Sequence, residues 1–241
     1  MARKSKRRSS SRAAETGAGS RSNRDRAIAS LMSLLAEHPF EQIGLSQIAS
    51  DAKLSLAELR AEFASTLSIL AAHIKETDRA LLASIDADMA EESPRERLFD
   101  VLMRRLEILE PHKEAVRSLM RSVSCNPGLA LALNGLAVRS QQWMLTAADI
   151  GASGPKGMLR AQGLALLFAN VLRTWIDDDD DQTKTLAALD GQLARGQRFV
   201  GLIDELCGIP QAACAFRDRL RSARRSHRRD RDRENEDRAP V

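Results

Sequence analysis

Little in this sequence marks a secreted, membrane-embedded or catalytic protein. There are three cysteines, Cys125, Cys207 and Cys214. They are too few for a closed disulfide framework and lack metal-ligand spacing, so a reducing cytoplasm is the expected compartment. Charge-free stretches such as that between Arg160 and Arg173 fall well short of the roughly 20 apolar residues of a membrane span. No apolar segment follows the basic N-terminus, which argues against a secretory signal. No stretch alternates apolar and polar residues with period two, which removes β-structure from consideration. There is no phosphate-cradling glycine loop. His38, His73, His112 and His227 are scattered, and Cys125 is followed by Asn126-Pro127 with no nearby base. No catalytic residue, metal or cofactor is expected, and the chain does not read as an enzyme.

What the chain does have is a hydrophobic fraction of 43%, ordinary for a packed core, and a segregated charge. Its net charge of +4 divides into +7 over residues 1–26, −7 over 27–216 and +4 over 217–241. An acidic body thus carries two basic tails. Such tails are drawn to polyanions, nucleic acid first; the plainer alternative is a solvated extension that aids solubility.

Residues 1–21 are rich in Ser, Arg, Ala and Gly without periodicity and read as a disordered basic arm. From Asn23 the spacing turns helical, with Ile28, Leu31, Met32 and Leu35 on one face until Pro39 stops it. Ser46 is expected to cap a short helix that turns Ile48 and Ala49 inward. A turn at Lys53-Leu54 follows. Ser55 then caps a second short helix, with Glu58 completing a capping box and Leu59 and Phe63 facing in. Thr66 opens a long helix whose expected stripe is Leu67, Leu70, Ala71, Ile74, Leu81, Leu82, Ile85 and Met89. Pro94 opens the next, with Phe99, Leu102, Met103, Leu106 and Leu109 on one face. Further helices are expected over about 112–124, from Asn126-Pro127 to about Ile150, over about 156–176 and over about 182–207. The expected fold is all-α. The Arg-rich segment 209–241 has almost no apolar face and reads as disordered.

The order of parts over residues 24–70 resembles the N-terminal domain of the TetR family of bacterial one-component transcriptional regulators. The match is carried by Ile43-Gly44-Leu45-Ser46, Ile48-Ala49, Leu54-Ser55, Leu59, Phe63, Ser65 and Ile69-Leu70. With the helical body, the resemblance covers about 24–207. It implies a helix-turn-helix DNA-binding domain over 22–72, with the motif itself about 44–63, and a helical regulatory and dimerisation domain over 73–208. It further implies a dimeric repressor of double-stranded DNA whose affinity is relieved by an apolar small ligand. The expected DNA contacts are Arg21, Arg24, Arg26, Ser46, Gln47, Lys53, Ser55, Leu56, Ala57, Glu58, Arg60, Ala61 and Thr66. Three positions depart from the family's habit: Lys53 stands where it has Gly, Arg60 where it has a phosphate-binding Tyr, and Thr66 where it has Lys. Residues 27–76 carry a net −3, a handicap on a polyanion that the basic arm could offset.

In the body, Leu186, Leu189, Leu193, Gly196, Val200, Ile203 and Cys207 follow a 3-4-3-4-3-4 spacing. That seam suits a dimer bundle, the arrangement the resemblance implies, or packing on the body's own helices. Phe99, Met103, Met120, Trp143, Met144, Phe168 and Trp175 are plain core or the lining of a ligand cavity. With few internal charges expected, an apolar small molecule or lipid is the default ligand. The run Asp177 to Asp181 reads as a metal-binding cluster or, more simply, as a solvated turn before a helix. Trp175, these aspartates, Thr183 or Thr185, and Leu189-Asp190 also resemble the C-terminal part of the coenzyme-Q accessory proteins. Those share the TetR fold but bind lipid, which defines an alternative function without sequence-specific DNA binding.

Overall fold

The structure is a computed structural model that describes residues 22–85, 91–179 and 182–197. The arm 1–21, with Arg21, and the segment 209–241 lie outside these residues, as do Met89, Asp180, Asp181, Val200, Ile203 and Cys207. The chain divides into two compact units, Met1–Asp190 and Gly191–Val241. Of the second, the described part is helical through residue 197.

The regular structure among the described residues is all helical, with no strand. In chain order the helices are α1 (Asn23–Glu37), α2 (Leu45–Asp51), α3 (Leu56–Glu62), α4 (Thr66–Ala83), α5 (Pro94–Leu109), α6 (Lys113–Cys125), α7 (Pro127–Ala147) and α8 (Gly154–Ile176). A further helix, α9, covers residues 183–197. Most begin with a local device written in the sequence. Ser22, Ser55, Ser65 and Ser93 each cap a helix through a reciprocal capping box, with Asp25, Glu58, Ser68 and Glu96 as the respective third residues. Pro94 and Pro127 occupy the first turn of α5 and α7, where a missing N–H costs nothing.

Two local expectations are corrected. The residue capping α2 is Gly44 and not Ser46, which lies inside the helix, exposed. Helix α4 does not run on toward Met89. It stops at Ala83, where the Ser84 hydroxyl turns back to the Leu81 carbonyl and the Arg104 guanidinium bonds the Ser84 carbonyl. Its buried face is also rotated from the expected stripe: Ile69, Leu70, His73, Thr77, Asp78 and Leu81 are buried, while Leu67, Ala71 and Leu82 are half-buried.

The N-terminal helices share one core, in which Leu31, Leu35, Ile48, Leu59, Phe63, Ile69 and Leu70 are buried around α1. Ala115 of α6 belongs to the same cluster, and Leu119 packs against it. Truncating any one of the large members to Ala should cost about 2–5 kcal/mol. Two α6 hydroxyls add polar stitches: Ser118 Oγ donates to the His38 carbonyl and the Phe40 N–H donates to Ser122 Oγ, both at 3.0 Å. Helix α6 is thus built into the N-terminal domain while α7 and α8 pack beside it in the body. Where α8 begins, Gly157 is required by space, since a Cβ there would lie 2.1 Å from the Ala152 carbonyl carbon.

Candidate nucleic-acid interface

Helices α2 and α3 meet through a tight turn at Ala52-Lys53-Leu54. Lys53 adopts φ of 54°, the left-handed region that a side chain enters at a cost. Its amide bonds the Ser50 carbonyl and that of Leu54 bonds the Ala49 carbonyl, which closes the turn. Ile48, Ala49, Ala52, Leu54 and Leu59 are buried and fix the two helices on α1. The opposite face is open: Leu45, Ser46 and Gln47 of α2, Lys53 at the turn, and Leu56, Ala57, Glu58, Arg60, Ala61 and Glu62 of α3 are all exposed. Leu56, 58% accessible, is the most exposed large apolar side chain of this surface.

The polar chemistry of this face is partly committed to its own structure. Ser55 Oγ accepts from the Glu58 N–H (3.2 Å), while the Glu58 carboxylate accepts from the Ser55 N–H and hydroxyl, each at 2.8 Å. Those bonds, the backbone one first, hold the Glu58 carboxyl below its ordinary range. Its negative charge is therefore fixed at the start of α3, where the helix dipole favours it. Arg60 reaches back to the Phe63 carbonyl at 3.4 Å. Thr66 is the half-buried first residue of α4.

Arg24 and Arg26 have structural partners. The Arg24 side chain pairs with Glu76 of α4 at 3.3 Å and lies over the Phe63 ring, 5.2 Å from its centroid. Arg26 donates to Asn23 Oδ1 (2.7 Å) and to the Lys53 carbonyl (3.4 Å). The two arginines brace α1 against α4 and against the turn. Both lie in the first turn of α1, next to Asn23 and Asp25.

The expected body residues do not form one group. Met144, Phe168 and Trp175 are buried; Phe99, Met103 and Met120 are half-buried; Trp143 faces outward, 57% exposed. Trp175 closes a polar knot, its indole N–H donating to Glu110 (3.1 Å) while the Lys113 ammonium sits 5.3 Å above its ring and donates to the Asp178 carbonyl. Of the aspartate run, Asp177 pairs with Arg117 at 2.7 Å. Asp178 accepts from the Thr185 hydroxyl and N–H, both at 2.7 Å. These bonds, the hydroxyl one first, lower its pKa and fasten the start of α9. Among the described residues no group of three His, Cys, Asp or Glu is placed to hold a metal ion. On α9, Leu189 and Leu193 are buried, Gly196 is half-buried and Leu186 is exposed.

Sequence reasoning missed a buried polar set: Asp78, Arg105, Ser140, Gln141 and His73. The signal was present, since Asp78 and Arg105 interrupt otherwise apolar helix faces between Ile74 and Leu81 and between Leu102 and Leu106.

Two short helices at a tight turn, the second capped and open on its outer face, followed by a helical body, define the helix-turn-helix class with an attached all-α domain. No sequence-family model and no curated protein sequence matches the chain. Solved structures do share its architecture. A TetR transcriptional regulator from Nitrosomonas europaea ATCC 19718 superimposes with a TM-score of 0.58 at 20% identity, covering 73% of this chain and 99% of that one. A tetR-family transcriptional regulator from Streptomyces coelicolor gives 0.51 at 18% identity, covering 77% and 85%. The fatty acid degradation regulator FadR from Bacillus halodurans gives 0.50 at 16% identity, covering 74% and 96%. The fold is therefore TetR-like. No helix among the described residues is long and apolar enough to cross a membrane.

Proposed function

We propose that this protein is a dimeric, ligand-responsive transcriptional regulator, a repressor, that reads double-stranded DNA through α3. The observation that carries the reading is the exposed outer face of α2, turn and α3 on a buried three-helix core, together with the TetR-like fold. Leu56 and Ala57 suit thymine methyl groups, and Arg60 suits a guanine edge. The described face is poor in cations, since Arg24 and Arg26 are engaged, so the arm 1–21 supplies most phosphate contacts. Helix α6, tied through Ser118 and Ser122 to His38 and Phe40 just beyond α1, carries a ligand-induced change in the body to the reading head. Dimerisation uses the outer sides of α7 and α8, where Leu131, Trp143, Met158, Leu159 and Leu166 are exposed, and the later part of α9.

The test is selection of bound sequences from a random pool of duplex DNA by the full chain. Enrichment of a two-fold symmetric site supports the reading. The acidic charge of residues 27–76 favours one alternative, a lipid-binding accessory protein of the same fold. Absence of any enriched site, with lipid retained through purification, replaces the regulator by that alternative.

A further inference from the structure

Two helices belong to both the reading head and the helical body. Helix α4 gives Ile69 and Leu70 to the head core and, about two turns on, Asp78 to an ion pair with Arg105 of α5 at 2.6 Å. Helix α6 gives Ala115 to the same head core, and its Arg117 pairs with Asp177 at the end of α8, 2.7 Å away. Between these attachments, α4 meets the entrance of α6 through two imidazoles. His73 lies one turn past Ile69-Leu70, edge-on to His112, the residue before α6, with ring centroids 4.9 Å apart. His73 is buried and His112 half-buried.

The surroundings of His73 suit only the neutral ring. Two titratable or charged groups act on it, His112 from the turn before α6 and Arg105 from α5, and both disfavour a proton. The acids on its own helix are taken: Glu76 by Arg24 of α1 (3.3 Å), and Asp78 by Arg105 and by Ser140 of α7 (2.7 Å). The buried polar side chains of α7, Ser140 and Gln141, carry no charge. Beside His112, Glu110 and Lys113 pair with each other at 3.5 Å. His73 Nε2 is buried without a hydrogen-bond partner, as are Arg105 Nε and Gln141 Oε1 of the same interior. A proton on His73 would therefore be an unpaired charge in a buried place, a state relieved by exposure to water.

We propose that the His73–His112 contact is a proton-operated latch between head and body, closed while both rings are neutral and opened, with the start of α6 moving off α4, when His73 takes a proton. Burial first, then the charges of His112 and Arg105, lower the His73 pKa from 6.5 to about 4. Opening restores the ordinary value, so the open form binds the extra proton and gains as pH falls. The latch is fully favoured above about pH 6.5, and its opening constant rises about 20-fold between pH 7 and pH 5. Burial also lowers the His112 pKa, which acts in the same direction. Because Ser118 and Ser122 fasten α6 to His38 and Phe40, opening loosens the head. The proton thus becomes an input to the regulator proposed above; only the consequence for DNA rests on that reading.

Hydrogen exchange of the full chain at pH 7 and pH 5, corrected for the intrinsic rate at each pH, tests the latch. Amides of residues 112–119 and 70–77 should open about 20-fold more often at pH 5 while α8 keeps its protection. In His73→Phe the rise should shrink to about threefold or less, the share of His112. His73→Leu serves if His73→Phe fails to fold. Opening that is equal at the two pH values, an undiminished rise in the variant, or a rise shared by α8, which is global unfolding, overturns the proposal. Duplex binding measured on the same samples separates the two readings. Acid opening in a protein with no duplex affinity keeps the latch and removes the regulator. Duplex binding with pH-independent opening does the reverse.

Discussion

Lys53 pays for its place in the turn with a left-handed backbone, φ 54°. Glycine enters that region freely, so Lys53→Gly should relieve strain of about 1 kcal/mol, offset in part by the greater freedom of glycine in the unfolded chain. The expected outcome is an unchanged or slightly higher urea midpoint together with weaker DNA binding on all sequences, because a cation beside the phosphates is lost. Arg24 behaves in the opposite sense. With Glu76 and Phe63 as its partners, Arg24→Ala should lower stability by about 1 kcal/mol whether or not DNA is present. His73 ties stability to pH. Its pKa falls from 6.5 to about 4 on folding, so between those values the unfolded chain binds the extra proton. Stability should be complete above about pH 6.5 and decline toward pH 4, by an amount on the order of 3 kcal/mol. Denaturant titrations across this range should show the decline in the wild type and a flatter profile in His73→Phe.

Among the elements, α3 is the one whose existence depends most on its cap. It spans seven residues and buries only Leu59, too little to fold by itself. Ser55→Ala removes the hydroxyl half of the capping box, leaving only the Glu58 carboxylate on the backbone N–H of residue 55, and should cost about 1 kcal/mol, with DNA affinity falling further because the reading helix frays. Hydrogen exchange of the α3 amides is the measurement, and unchanged protection would remove the cap from the explanation. Helix α6 is the complementary case, held by long-range contacts. Ser122→Ala strands the Phe40 N–H and should cost about 1–3 kcal/mol. What was legible in the sequence follows the same divide. The Ser55–Glu58 capping box, the proline first turns and the α2–α3 order are local, and they could be read directly. The rotated face of α4, the end of that helix at Ala83 and the bracing by Arg24 and Arg26 depend on partners far along the chain. The unmatched interior set lay between these: the charged interruptions of α4 and α5 were visible, but their convergence with Ser140 and Gln141 was a matter of packing.

At the scale of the whole molecule, the charge division sets how DNA would be held. Residues 1–26 carry +7 and residues 27–76 carry −3. With Arg24 and Arg26 braced inside the fold, deleting 1–22 removes the seven remaining basic residues of that segment. If four to five of them neutralise phosphates, the slope of log affinity against log salt should fall in magnitude by about 4. An unchanged slope would make the arm a spectator. Self-association is expected on the apolar outer side of α7 and α8, so Leu166→Glu should convert a dimer to a folded monomer in light scattering; a monomeric wild type would reject that interface. The most direct test of the central claim is a shift assay comparing the sequence enriched by selection with a scrambled duplex, for the wild type and for Arg60→Ala. A base-reading arginine contributes about 1–3 kcal/mol of discrimination. The account predicts that Arg60→Ala weakens binding to the enriched site by about 5- to 150-fold and barely affects the scrambled duplex. Equal wild-type affinity for the two duplexes would contradict it.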